Sequence, residues 1–161
     1  MACLRAAQYD NGAWPGAWGV RLLYGTMFGV RGLIAGGVPP SDPQVRKACE
    51  WLKARQRADG SWGEAHVAAP SPDYREAEEG HVVQTAWALS ALLEANDPDA
   101  GAEERAARFI TRAQGADGQW PDQGPVGVFF QTALLDYELY KCYFPLWALA
   151  QYEAHRRGRA I

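Results

Sequence analysis

Three segments of the chain share the frame Gln-x-x-x-Gly-x-Trp: Gln8 to Gly12 to Trp14, Gln56 to Gly60 to Trp62, and Gln114 to Gly118 to Trp120. A returning frame restricts the fold more than composition does, because each copy must build one unit and the units must stack. The Trp-to-Trp spacings are 48 and 58 residues, room for two helices and their loops. Upstream, Lys47-Ala48-x-x-Trp51-Leu52 precedes Gln56 as Arg105-Ala106-x-x-Phe109-Ile110 precedes Gln114.

Each unit opens on an amphipathic helix: Ala48, Trp51, Leu52 and Arg55 recur at i, i+3, i+4 and i+7. It stops at a Gly that can take the left-handed conformation. A Gln at that end can bond free backbone groups, and the following Trp ring packs against the next unit. Between the turns, Gly19–Ile34 and Val82–Ala95 are apolar on most faces, with small residues at Gly25, Gly29, Ala86, Ala88 and Ala91. A polar outer helix alternating with an apolar inner one predicts an all-α fold, part of an α/α toroid. No segment alternates as a strand requires. Loops are expected at Gly36–Pro43, Gly63–Gly80 and Asp97–Gly101, the middle one long enough to be either functional or poorly ordered. The chain, residues 1–161, reads as a single domain with turns at 8–14, 56–62 and 114–120. It opens in mid-unit, as a piece of a longer array would, and an isolated half-ring would expose the inner-helix faces.

With 22% charged residues and a net charge of −3, the chain has no basic face for nucleic acid. Arg156-Arg157 with Arg159 reads as a solvated helix end. Cys3, Cys49 and Cys142 are too scattered for a disulfide framework and read as reduced, mostly buried thiols, which points to a cytoplasmic location. No apolar run reaches the ~20 residues of a spanning helix. His66 and His81 flank Glu64, Asp73, Glu76, Glu78 and Glu79, but no ligand spacing is fixed; the cluster reads as solvated loop charge, and no metal is expected. His155 reads as tail.

The three turns resemble the repeat of the squalene/oxidosqualene cyclases, the class II triterpene cyclases, and the resemblance runs from Gln8 to Tyr152. It is strongest in Trp14-Pro-Gly-Ala-Trp18-Gly19-Val20 with Tyr24-Gly25-Thr26, and in Gly127-Val128-Phe129 through Tyr137, Tyr140 and Phe144-Pro145. The second block, with Trp120-Pro121 ahead of it, is more similar to the oxidosqualene branch, lanosterol synthase-like, than to the hopene branch. The resemblance implies a C-terminal portion of an isomerase that needs no cofactor. In such an enzyme an acid protonates an epoxide or alkene, and a polyene closes into rings through carbocations. The implied partners are an isoprenoid lipid (oxidosqualene or squalene), a missing N-terminal cyclase portion and a membrane surface.

Carbocations need shielding from water and stabilisation without a nucleophile, which aromatic faces supply. The resemblance assigns that role to Trp18, Tyr24, Phe129 and Tyr137, with ordinary core packing as the competing reading. Trp14, Trp62 and Trp120 read as clamps, Trp51 and Phe109 as helix packing, and Trp87 as packing with cavity lining open to it. Trp147 and Tyr152 fall on a last helix that Pro145 is expected to open. The initiating acid of the family lies in Asp-x-Asp-Asp or Asp-Cys-Thr-Ala-Glu; neither string occurs, and Asp97-Pro-Asp99-Ala reads as a turn. The lone chain is therefore expected to be inactive. Asp136 is unusual beside Tyr137, either a base near the cavity or a side chain pointing outward. The alternative to a cyclase portion is a non-catalytic α/α-repeat module that packs on a partner or binds a lipid.

Overall fold

The Gln-Gly-Trp frame folds the same way three times. The computed structural model describes residues 2–66, 71–129 and 133–158; Arg159 and positions 67–70 of the long loop fall outside them. In every turn the Gly has positive φ (101°, 91° and 80° at Gly12, Gly60 and Gly118), a conformation that a Cβ would strain. The Gln amide donates to that glycine's carbonyl at 2.8, 3.1 and 2.8 Å. Each Trp indole N–H reaches back ten residues to a carbonyl of the preceding outer helix: Leu4, Leu52 and Ile110, at 2.7, 2.8 and 2.9 Å. The residue before Gly, Asn11, Asp59 or Asp117, accepts from the backbone N–H two positions on, the Asx turn these residues favour.

The described residues form the helices α1 (Ala2–Ala6), α2 (Arg21–Ala35), α3 (Pro43–Lys53), α4 (Val82–Glu94), α5 (Ala100–Ala113) and α6 (Leu139–Arg156). The outer helices α3 and α5 begin at side-chain caps, Asp42 accepting from Gln44 N–H and Asp99 from Ala102 N–H, and each buries one stripe, Val45, Ala48, Trp51 and Leu52 on α3. The inner helices α2 and α4 fall where the apolar pattern predicts, and α6 joins them in the second layer, packed on α4. In α4 every residue from Val82 to Leu93 is buried, against α2, α5 and α6. The α4 face expected to be open is therefore covered by α6. What stays exposed is Phe28 on α2 and, outside the two expected faces, Trp18, Phe129, Leu134, Leu135, Tyr137, Leu139, Tyr143 and Leu146.

Three expectations need correction. Two short strands exist, β1 (Gly127–Phe129) and β2 (Ala133–Leu135), paired antiparallel with Gly127 opposite Leu135. At three residues each they are too short to show an alternation. Pro145 does not open α6 but sits inside it. The turn it weakens persists because Phe144 and Ala148 are buried, and burial of that size offsets a proline's cost of about 3 kcal/mol. Of the thiols only Cys49 is buried; Cys3 and Cys142 are exposed, since α1 buries nothing and Cys142 lies on the outward side of α6.

The described part of the long loop is tied down. Tyr74 Oη donates to Gly63 O at 2.7 Å and Asn11 Nδ2 to Pro72 O at 2.7 Å. Arg57 holds Glu76 at 2.5 Å and the carbonyls of Ala77 and Glu78. Asp97, in the expected turn, is buried, with Arg46 at 3.0 Å and Lys53 at 3.2 Å as counter-charges, the pairing a buried carboxylate requires.

Candidate functional site

The chain after Trp14 runs alongside β1 before it turns into α2. Val128 N–H donates to Trp18 O at 3.0 Å and Val20 N–H to Val126 O at 2.8 Å, with Gly19 opposite Gly127. This pairing brings together Trp18 and Phe129, ring centroids 5.9 Å apart, both half exposed at 53% and 44%. Tyr24, one turn into α2, lays its ring on Gly19: a Cβ there would sit 2.4 Å from Tyr24 Cδ2. Glycine at 19 is what lets the Trp18 segment close on α2.

From Tyr24 the rings continue inward. Tyr24 meets Phe28 at 4.8 Å and Trp87 edge-on at 5.2 Å. Trp87 meets Tyr140 at 6.0 Å and Phe144 at 5.6 Å, and Tyr140 meets Tyr137 at 4.9 Å. Tyr24 and Tyr137 are thus joined through Trp87 and Tyr140. Each tilted or edge-on contact adds about 0.5–1.5 kcal/mol beyond area burial. At the far side Arg31 lies 4.1 Å over Trp147 and pairs with Glu94 at 2.9 Å.

Burial pushes the phenols of Tyr24 and Tyr143 up to about 12, neighbouring phenols adding to it, and raises Tyr140 as well. These rings remain neutral at any physiological pH. They present π faces and no phenolate that would capture a cation or remove a proton.

The sequence did not show Trp87 as a buried hub, nor Tyr140, Phe28 and Tyr143 as members of the ring cluster. The signal was there in part: Tyr137, Tyr140 and Phe144 fall at i, i+3 and i+7, and Tyr24 and Phe28 at i, i+4. It also missed Glu64. Read as loop charge, Glu64 is buried and accepts from Leu22 N–H at 3.0 and 2.9 Å and Leu23 N–H at 2.9 Å, closing the first turn of α2, whose own cap residue Val20 has no side-chain acceptor. Gln123, just past the third turn, does the same for α4, accepting from Val82 N–H at 2.8 Å and donating to Gly80 O at 2.9 Å. His81 is not loop charge either: its Nδ1 accepts from Val83 N–H at 3.2 Å and burial lowers its pKa. The inner helices α2 and α4 are therefore each capped by a residue beyond the next turn, Glu64 and Gln123.

Asp136 is exposed and lines a cleft that Tyr137 and Tyr140 share with His81, Asp122 and Lys141. Glu103 is buried on α5, 4.0 Å from His155 of α6, a contact that gives His155 a neighbour the sequence did not reveal. That point lies about 27 Å along α6 from the Tyr137 end. No group of three His, Cys, Asp or Glu among the described residues could hold a metal ion, and no helix among them is long and apolar enough to cross a membrane.

Glu64 and Glu103 are both pushed up to about 7, burial being the largest cause. For a carboxyl raised above its unfolded value, the native state keeps a proton that the unfolded chain has released. The stabilisation is complete below about pH 4.5 and is lost as pH rises to about 7. His81, held low, contributes the opposite slope near pH 6.5. The comparison that isolates Glu64 is therefore with Glu64→Gln: the stability of wild type relative to the variant should fall from pH 5 to pH 8 in urea unfolding. A gap that widens with pH would reverse the assignment.

The squalene-hopene cyclase C-terminal domain model matches residues 1–154. The chain belongs to that family. Lanosterol synthase of Homo sapiens is 34% identical over 161 residues, covering 98% of this chain and 22% of its own length. A squalene–hopene cyclase of Bradyrhizobium diazoefficiens is 39% identical, covering 94% and 23%, and a cycloartenol synthase of Dictyostelium discoideum 40%, covering 92% and 21%. The cyclase domain described here thus spans between a fifth and a quarter of those relatives. Among solved structures, ent-copalyl diphosphate synthase of Streptomyces platensis shares the fold, with a TM-score of 0.68 at 24% identity over 95% of this chain and 27% of its own.

Proposed function

We propose that this domain supplies one aromatic wall of a polyene-cyclising cavity, with Trp18 and Phe129 stabilising cations first and Tyr24 and Tyr137 beside them. The observation that carries the reading is the half-exposed Trp18–Phe129 pair, with the Tyr24 ring laid on the adjacent Gly19 and its phenol raised by burial. A ring face contributes roughly 0.5–2 kcal/mol toward a desolvated cation and offers it no lone pair to bond. The substrate class is an isoprenoid polyene, squalene or its epoxide, and the Gly127-Val128-Phe129 block favours the epoxide. The initiating acid comes from polypeptide outside these residues: Glu64 is committed to the α2 backbone, Glu103 lies at the other end of α6, and Asp97 is held by two cations. Attachment to a membrane face follows from the same reading, because the substrate dissolves in lipid.

Calorimetry with a farnesyl-trimethylammonium cation and its uncharged tert-butyl isostere tests the wall. The cation should bind more tightly, and Trp18→Ala or Phe129→Ala should each weaken it about 2- to 30-fold while leaving the isostere nearly unchanged. Equal binding of both probes would favour the second reading, a module that holds a lipid without chemistry. The chain alone should convert neither squalene nor its epoxide, and any cyclic triterpene product would overturn the assignment of the acid.

A further inference from the structure

The ring cluster ends on a cation of the protein's own. Tyr24, Phe28 and Arg31 fall at i, i+4 and i+7 of α2 and share one face of the helix. The Arg31 guanidinium lies 4.1 Å over the Trp147 ring of α6 and 5.9 Å from the centre of the Phe28 ring. Its Nε pairs with Glu94 Oε1 of α4 at 2.9 Å, and the same oxygen accepts from Gln151 Nε2 of α6 at 3.2 Å. Three inner helices thus hold one guanidinium in place. The ring cluster reaches it by two routes. Phe28 meets Tyr24 at 4.8 Å. Trp147 stacks on Phe144 at 6.2 Å, and Phe144 meets Trp87 and Tyr140. Phe28 is exposed and Trp147 only partly buried, so by residue type and position both belong with the wall. Their faces toward α2 are already taken.

We infer that Arg31 sets the end of the cation-binding wall, as a specificity-determining residue that keeps a substrate cation off Phe28 and Trp147. A ring face serves one cation at a time. This one is tethered to α2 and fixed by Glu94, so its effective concentration at the rings exceeds that of any dissolved competitor. With Glu94 as counter-charge the pair adds no net charge, and it acts by occupying the faces rather than by repulsion at a distance. A carbocation moving along a bound polyene is then stabilised at the Trp18–Phe129 end and gains nothing beyond Tyr24. The inference rests on the proposed wall, and the two are separated by which tryptophan the binding answers to.

Calorimetry of farnesyl-trimethylammonium on the full chain provides the test. The wild type should bind one cation, weakened by Trp18→Ala and altered by less than about twofold by Trp147→Leu. Arg31→Met with Glu94→Gln clears both faces without leaving a lone carboxylate, and Gln at 94 keeps an oxygen for the Gln151 amide. That double variant should bind a second cation, within about tenfold of the first. Adding Trp147→Leu should remove the second site, and the tert-butyl isostere should gain none. A double variant that binds one cation as the wild type does would overturn the inference while leaving the wall intact. So would a second site that survives Trp147→Leu or that takes the isostere equally well. Circular dichroism checks that the double variant is folded. The single variant Trp147→Leu decides the matter without it: a loss of about fivefold or more would mean that Trp147 already carries the ligand's cation. A wild-type site indifferent to Trp18→Ala would fail the wall and the inference together.

Discussion

Trp62→Ala should lower the unfolding free energy by about 3–5 kcal/mol, read as a fall in the urea midpoint at unchanged slope. The ring is fully buried, so truncation leaves a cavity as well as losing transfer free energy. Its N–H bond to Leu52 O is lost too, and its backbone N–H is held by Thr85 Oγ1 at 3.0 Å, so the disturbance spreads to α4. The three clamp tryptophans form an internal series. Trp14→Ala should cost nearly as much, the ring being 2% exposed in a turn whose Gln8 amide also bonds Gln44 O of α3. Trp120→Ala should cost least, since the ring is 8% exposed and among the described residues its turn grips no following helix. Equal losses at all three would mean that stability follows the ring alone and not the packing of one unit on the next.

Glu64→Ala is the second large effect, an expected loss of about 2–4 kcal/mol at pH 6 from leaving the buried N–H groups of Leu22 and Leu23 without an acceptor. Glu64→Gln, which keeps one acceptor oxygen, should lose less than half of that. Gln123→Ala, the corresponding cap on α4, should cost about 1–2 kcal/mol, because His81 also caps that helix. The functional consequence is specific. Leu22 and Leu23 directly precede Tyr24, whose ring fixes the Trp18 segment through Gly19. Glu64→Ala should therefore weaken the farnesyl-trimethylammonium cation even under conditions where the chain remains folded. Loss of stability with cation binding intact would separate the cap from the wall.

The outer helices and the turns were legible because their causes are local. Asp42 and Asp99 cap the helices they precede, and the Gln amide closes a ring over four residues. The Trp indole reaches back ten along the same helix and turn, and the glycine's positive φ is a property of one residue. A repeat of such local devices determines an α/α array, and the apolar inner helices follow from burial on both sides. Sequence also placed the chain in its family, since the same frame carries the resemblance.

Tertiary structure alone decided what meets across the array. Trp18 and Phe129 are brought together by a strand pairing too short to leave a periodicity, at Gly19 and Gly127. Trp87 looked like any inner-helix residue until α6 folded over it and made it the hub of the ring cluster. Glu64 read as loop charge because nothing near it in sequence needs a carboxylate; the groups that need it are the open N–H groups of a helix some forty residues earlier. The physical reason is common to all three. Turn and cap geometry are satisfied within a few residues and so are written locally, whereas buried donors and ring contacts are satisfied by whichever distant element arrives, and only the folded chain says which one that is.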